Sequence, residues 1–308
     1  MPRSKFMLPE SVQSFLLPDS VTAWTRGLAW ANLVVNILIV GTGGLVRLTG
    51  SGLGCPTWPL CTTESLVPTQ EMGIHGLIEF GNRTLTGLLV IVALLTYLAV
   101  RNAPKQLGLR IPAFLIGVLI IVQAIIGGIT VIFHLDPRIV GVHFLFSAAI
   151  VAIAALLLQR VRYAEPLPAA DAPRAPRGLW VSLIVVTVLT WITEVVGVLT
   201  TGAGPHAGDT IAARNGFDPV VMQHVHSWPA YALAAALVVM MVFVLRSKLA
   251  RTKASSVTLL ILVVIQIAFG VYQSRAGLPV WSVGTHMILA VTVIAVLTVN
   301  LVNARRAK

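Results

Sequence analysis

The sequence predicts an all-α membrane protein with eight transmembrane helices arranged as two similar halves. Three observations carry that prediction. The chain of 308 residues is 56% apolar and only 11% charged, with mean hydropathy +0.88, whereas soluble domains carry about a quarter charged residues. Eight runs are long and apolar enough to cross a bilayer as helices: 27–46, 77–100, 111–133, 139–159, 179–200, 224–245, 256–273 and 280–302. Finally, Val140-Gly-Val-His143 returns as Val283-Gly-Thr-His286, 143 residues later, and Gln123 and Gly127 return as Gln266 and Gly270 in that register. A fixed offset of this kind is the mark of duplicated architecture. Each half therefore presents one histidine just inside an apolar segment.

The net charge of +11 does not point to nucleic acid, because its distribution is topological. If the loops alternate sides, all but five of the 22 Lys and Arg residues share one side; the exceptions are Arg47, Arg83, Arg138, Arg214 and Arg275. The positive-inside rule then puts both termini in the cytoplasm, and the basic side also suits anionic lipid. Residues 1–26, with Pro, Ser and acidic side chains and no long apolar core, do not resemble a cleaved signal peptide. The charged, Pro-rich inner loop 160–178 is the natural boundary between the halves.

The first run leads outward into a glycine-rich stretch, Gly41-Thr-Gly-Gly-Leu-Val-Arg47, whose second-half counterpart is Gly197-Val-Leu-Thr-Thr-Gly-Ala-Gly-Pro-His206. Glycines there serve close helix approach or a turning backbone. The outer loop Cys55-Pro-Thr-Trp-Pro-Leu-Cys61 holds the only two cysteines. On the outer side a disulfide between them persists; two free thiols are the alternative, and no ligand set completes a tetrahedral metal site.

The second run opens His75-Gly-Leu-Ile-Glu79-Phe-Gly-Asn82-Arg83. Glu79 and Arg83, four apart, share a helical face and can pair, with His75 one turn nearer the outside. Charges at membrane depth are costly and mark function by default, although an ion pair that only orders the helix start would look the same. Gln123 and Gln266 read as bonding across helices. In Gln223-His224-Val-His226, residues two apart point away from each other on a helix, so only one imidazole faces the bundle. Glu194 lies within the fifth run with no evident partner, and the loop 201–221, with His206, Asp209, Arg214 and Asp218, is either a lid or a hydrated surface.

The even-numbered runs all descend from the outside, so His75, Glu79, His143, His226 and His286 fall in their first turns and form one layer near the outer face. A lone histidine in an apolar helix is usually a satisfied core residue, but repetition at equivalent positions favours a shared purpose. Inward-facing imidazoles in a helix bundle commonly hold haem iron, and outer arginines could meet the porphyrin's propionates. A proton relay should continue toward the cytoplasm, where ionisable groups are scarce.

Taken together, Gly43-Gly-Leu-Val-Arg-Leu-Thr-Gly-Ser-Gly-Leu-Gly-Cys-Pro-Thr-Trp-Pro-Leu-Cys61, Glu79-Phe-Gly-Asn-Arg83, Val-His143, Thr201-Gly-Ala-Gly-Pro-His-Ala-Gly-Asp209 and Thr-His286 resemble the haem A synthase family over the whole chain. The resemblance implies two pseudo-symmetric four-helix bundles, 1–165 and 166–308, in a prokaryotic plasma membrane. The implied activity is oxidation of the C8 methyl of haem O to a formyl group, by two successive hydroxylations, for cytochrome oxidase assembly. It implies a haem b held by His226 and His286. The substrate haem would bind in the first half at His143 and a Glu-x-x-His-Arg motif, which here reads Glu79-x-x-Asn82-Arg83. A second axial histidine is thus missing: either His75 replaces it, or His143 holds the iron alone with an open position, the reading favoured here because seven residues shift a ligand by roughly 10 Å. The family's frequent second-half cysteine pair is also missing. Glu79 would accept protons or stabilise positive charge, Arg83 would set its ionisation or hold a propionate, and Cys55/Cys61 would relay electrons or brace the loop. The implied partners are membrane lipid, the farnesyltransferase that makes haem O, and a second copy of the chain. The competing functions are a b-type haem electron-transfer protein, such as a quinol oxidoreductase subunit, and a haem or lipid transporter.

Overall fold

The computed structural model describes residues 9, 12, 15–168 and 175–305. Arg3, Lys5, Arg174, Arg306 and Lys308, which contribute to the charge asymmetry, lie outside the described residues. Eight helices are long and apolar enough to cross a membrane: α1 Ala23–Leu48, α2 Gly73–Val100, α3 Arg110–Ile132, α4 Pro137–Tyr163, α5 Arg177–Ala203, α6 Pro219–Arg246, α7 Ala250–Arg275 and α8 Val280–Arg305. No strand occurs among the described residues. All eight predicted runs are present, most of them longer at both ends.

At α1, α4 and α6 the extra length at the start goes with a side-chain cap. Asp136 and Asp218 accept the backbone N–H of Arg138 and Val221, both at 2.8 Å, and each is followed by proline at the first helical position. Asp-Pro is an efficient helix start, since the carboxylate satisfies an orphan donor and proline has none to lose. Thr22 and Thr25 form a reciprocal capping box on α1. One expectation is corrected: His143, His226 and His286 lie about two turns into their helices rather than in first turns, and Glu79 is in the second turn of α2.

Two apolar cores result. The first joins α1, α2, α3 and α4 through residues such as Leu33, Ala93, Ile116 and Leu157. The second joins α5, α6, α7 and α8 through Leu183, Leu237, Leu259 and Leu297. The partition is incomplete, however. Val291, Ile294 and Ala295 of α8 are buried in the first core while Val293 and Leu297 of the same helix are buried in the second. Helix α8 is therefore common to both. At the end far from the cysteines a buried polar network ties it in further: Gln159 of α4 donates to Asn303 Oδ1 at 2.5 Å, and Asn303 donates to Ser255 Oγ of α7 at 3.1 Å. With every partner buried, such a network fixes one register of α4, α7 and α8.

Candidate haem-binding site

The repeat at offset 143 is geometric as well as sequential. Gln123 Nε2 donates to His143 O at 2.9 Å, and Gln266 Nε2 donates to His286 O at 3.1 Å; Gln123 also reaches Ser147 Oγ. Each glutamine pins the carbonyl of the histidine turn on the following helix. Below each ring is a glycine of the preceding helix. A Cβ on Gly127 would stand 3.3 Å from His143 Cε1, one on Gly270 3.2 Å from His286 Cε1, and one on Gly197 2.9 Å from His226 Cε1. Any side chain there would press on the ring. The three glycines are thus cradles, and Gly197 is one that the offset does not reveal.

Of the two histidines opening α6, His224 is exposed while His226 is half-buried and faces His286. Their ring centroids are 6.4 Å apart with planes at 78°. An imidazole nitrogen bonds a metal ion at about 2.0–2.1 Å, and its ring centroid lies roughly 1.1 Å further back, so two rings on opposite sides of one iron stand about 6.3 Å apart. The Nδ1 atoms of His143, His226 and His286 are buried with no hydrogen-bond partner. Orphaned buried polar atoms are uncommon. The second-half pair fits a six-coordinate haem. No cluster of three or more His, Cys, Asp or Glu with metal-binding geometry occurs among the described residues.

In the first half, His143 has no imidazole opposite. Asn82 Nδ2 lies 3.9 Å from a Cβ built on Gly43 of α1, just as His226 lies against Gly197 of α5. Asn82 Oδ1 accepts the hydroxyl of Thr42 at 2.8 Å. Asparagine therefore occupies the place of the second-half histidine. His75 is exposed and its Nδ1 is 2.9 Å from Ser51 Oγ.

Cys55 and Cys61 form a disulfide, both cysteines being fully buried. Glu79 and Arg83 pair as expected, and both also grip this loop. Glu79 Oε2 accepts Cys55 N–H at 2.6 Å, while Oε1 accepts Arg83 Nε at 3.1 Å and Nη2 at 2.5 Å. Arg83 Nη1 donates to Thr57 O at 2.8 Å and Leu60 O at 3.2 Å, and Nη2 donates to Cys55 O at 2.9 Å. Guanidinium has five N–H donors, and all five are engaged. None remains for a propionate. From the same loop Trp58 packs on Gly128, where a Cβ would come within 2.4 Å of the indole. The loop is thus fixed against α2 and α3 beside Gly127 and His143, an arrangement that the sequence signals only through the Glu79/Arg83 spacing. Glu194 is half-buried on α5, three residues before Gly197.

Residues 26–298 match the family model described as cytochrome oxidase assembly protein. The chain belongs to that family. Its relatives include a haem A synthase of Shewanella oneidensis, 26% identical over 82% of this chain and 88% of that protein. A haem A synthase of an Exiguobacterium species is 34% identical over 40% of this chain and 40% of its own length. The chain spans less than half the length of several of the curated relatives it matches. A Thermus thermophilus protein named protohaem IX farnesyltransferase is 36% identical over 36% of this chain but only 19% of its own length. Family membership and eight membrane-capable helices make this a multi-pass membrane protein of the cytochrome oxidase assembly family.

Proposed function

We propose that the protein is a haem A synthase that oxidises the C8 methyl group of haem O to a formyl group through two successive hydroxylations, an oxidoreductase acting for cytochrome oxidase assembly. The observation that carries the reading is the facing pair His226 and His286, 6.4 Å between centroids, in a chain of this family. Those two imidazoles would hold a haem b, which when bound supplies one-electron transfer. Residues 166–308 would form the half that holds it and residues 1–165 the half that receives the substrate.

The substrate haem would bind at His143, with Asn82 beside it contributing no second imidazole and His75 engaged with Ser51. An iron held from one side leaves a position for chemistry, which suits oxidation of the substrate better than passive electron carriage. Glu79, one turn from Asn82, is the carboxylate able to accept a proton as the methyl is oxidised. Arg83 keeps that carboxylate oriented and the disulfide loop in place. The disulfide end faces away from the cytoplasm of a prokaryotic plasma membrane, with both termini inside, by the charge asymmetry. A farnesyltransferase that makes haem O is the natural upstream partner, and a relative bearing such a name matches part of this chain.

The test is expression with a haem O supply followed by pigment extraction. The unaltered protein should yield haem A; Glu79→Gln should block haem A while haem b stays bound. An electron-transfer protein or a transporter would yield none from either. Haem A yield unchanged in Glu79→Gln would remove that residue from the chemistry.

A further inference from the structure

We propose that Arg47 and Arg214 form a binding subsite for the carboxylate groups of the haem held between His226 and His286. This rests on the second-half haem assignment above. Arg47, the penultimate residue of α1, donates from Nε to His206 O at 2.7 Å and from Nη2 to Thr201 O at 3.0 Å. Arg214 donates from Nη2 to Pro205 O at 2.6 Å and from Nη1 to Ala212 O at 3.1 Å. Pro205 and His206 are consecutive, so two guanidiniums hang on neighbouring carbonyls of one loop.

Neither has a countercharge. The two ion pairs among the described residues are Glu79–Arg83 and Glu165–Arg251. Asp209, in the same loop, spends a carboxylate oxygen on Ile211 N–H at 3.1 Å and the Thr210 hydroxyl at 3.2 Å. Adjacent like charges repel, and for Arg47, which is half-buried where Arg214 is exposed, giving up water without a countercharge is costly. Carbonyls only partly offset that. A bound anion would cancel both, and the planar fork of arginine matches a carboxylate with two parallel hydrogen bonds.

Position selects the haem. Gly197, against His226, is one helical turn below Thr201, whose carbonyl Arg47 holds. Gly44 and Leu48, on the face of α1 next to Arg47, pack on Met287 and Gly284, which flank His286. His206 Nε2 is 3.0 Å from Leu278 O, fastening the loop to the start of α8. The loop also meets the first half, where Gly52 N–H donates to Gly208 O at 2.8 Å. The two cations therefore lie at the disulfide end where the halves join, on the side from which α1 and α5 approach His286 and His226. A porphyrin edge directed to that end would meet them. In the first half Arg83 cannot do this, since its donors are all used. The subsite is also composite: Arg47 belongs to the first half and serves the second.

The experiment is titration of the full-length detergent-solubilised protein with haem b and with haem b dimethyl ester, whose carboxylates are blocked. It uses unaltered protein, Arg47→Gln and Arg214→Gln, read by the six-coordinate absorption spectrum and by the midpoint potential. Esterification should weaken binding to the unaltered protein at least about tenfold. Each variant should bind haem b more weakly and lose most of the ester penalty, and its midpoint potential should fall, because nearby cations favour reduced iron. Equal affinity for haem and ester in the unaltered protein, which needs no variant to fold, would overturn the proposal, as would an ester penalty unchanged in both variants. So would unchanged haem affinity with loss only of binding to phosphatidylglycerol vesicles or inorganic phosphate, which would assign the pair to a lipid headgroup or a free anion. Failure of the unaltered protein to give any bis-imidazole spectrum would instead bring down the haem site itself, and this subsite with it.

Discussion

Gly197→Ala probes the cradle beneath His226 with a single methyl group. The new Cβ would stand 2.9 Å from His226 Cε1, whereas carbon atoms rest at about 3.5–4.0 Å. The ring must therefore retreat by about 0.6–1 Å, beyond the roughly 0.5 Å tolerance of a preorganised ligand set. Overpacking of this size costs about 1–3 kcal/mol, which corresponds to haem binding about 5- to 150-fold weaker. Gly270→Ala, with its contact at 3.2 Å from His286, should do the same to a smaller degree. Gly81→Ala, where no atom lies within 4 Å, should leave binding untouched. Alanine is the better helix former by about 0.5–1 kcal/mol, which offsets part of the strain in the haem-free protein, so thermal stability should fall less than haem affinity does. The assay is haem titration with the absorption spectrum as readout, alongside thermal unfolding of the haem-free protein. If Gly197→Ala bound haem with unaltered affinity and spectrum, the idea that these glycines set ring position would be wrong.

Asn82→His should place a second imidazole opposite His143 and convert the first-half haem to a six-coordinate, low-spin form, visible by absorption and electron paramagnetic resonance, with loss of haem A formation. Glu79→Gln removes an acceptor that serves both Cys55 N–H and Arg83; an amide satisfies only one of them, so the loop should loosen by about 1–3 kcal/mol, read as faster reduction of the Cys55–Cys61 disulfide in a thiol-labelling time course. Cys55→Ser should cost about 2 kcal/mol of stability from the short closed loop, measured by thermal unfolding, and leave the His226/His286 spectrum unchanged. Gln266→Leu deletes the bond to His286 O, about 1 kcal/mol, and should lower haem retention on dilution severalfold, while Gln123→Leu should leave second-half haem alone.

Much of this architecture is legible in the residues. Composition alone locates the eight spans, because lipid leaves the backbone no choice but helix. The 143-residue register finds His143, His286, their glutamines and two of the three cradling glycines, since each tie is made between consecutive helices and is carried along in the repeat. Gly43 and Gly197 break that register, so the repeat alone does not pair Asn82 with His226; the family motif marks Asn82 as standing in for a histidine, and the glycine contacts set the two residues side by side. The Glu79/Arg83 pair is readable from spacing, yet its grip on the disulfide loop depends on carbonyls of Cys55, Thr57 and Leu60, and carbonyls leave no trace in side-chain identity. Arg47 is visible as one of the outer arginines, but its bonds to Thr201 O and His206 O are not, for the same reason. The sharing of α8 is equally silent, because a helix apolar on all sides does not declare how many cores it enters.

Since one rod closes both cores, the two halves are not detachable modules. A polypeptide ending near residue 165 would leave the flanks of α1 and α4 that pack on α8 without Val291, Ile294 and Ala295, which complete the first core. The complementary piece would keep the facing imidazoles of His226 and His286 yet lose Arg47 and the α1 surface against which Met287 rests. Produced as separate polypeptides, the fragments should therefore accumulate only when made together, as a split protein whose seam runs along one flank of its last helix.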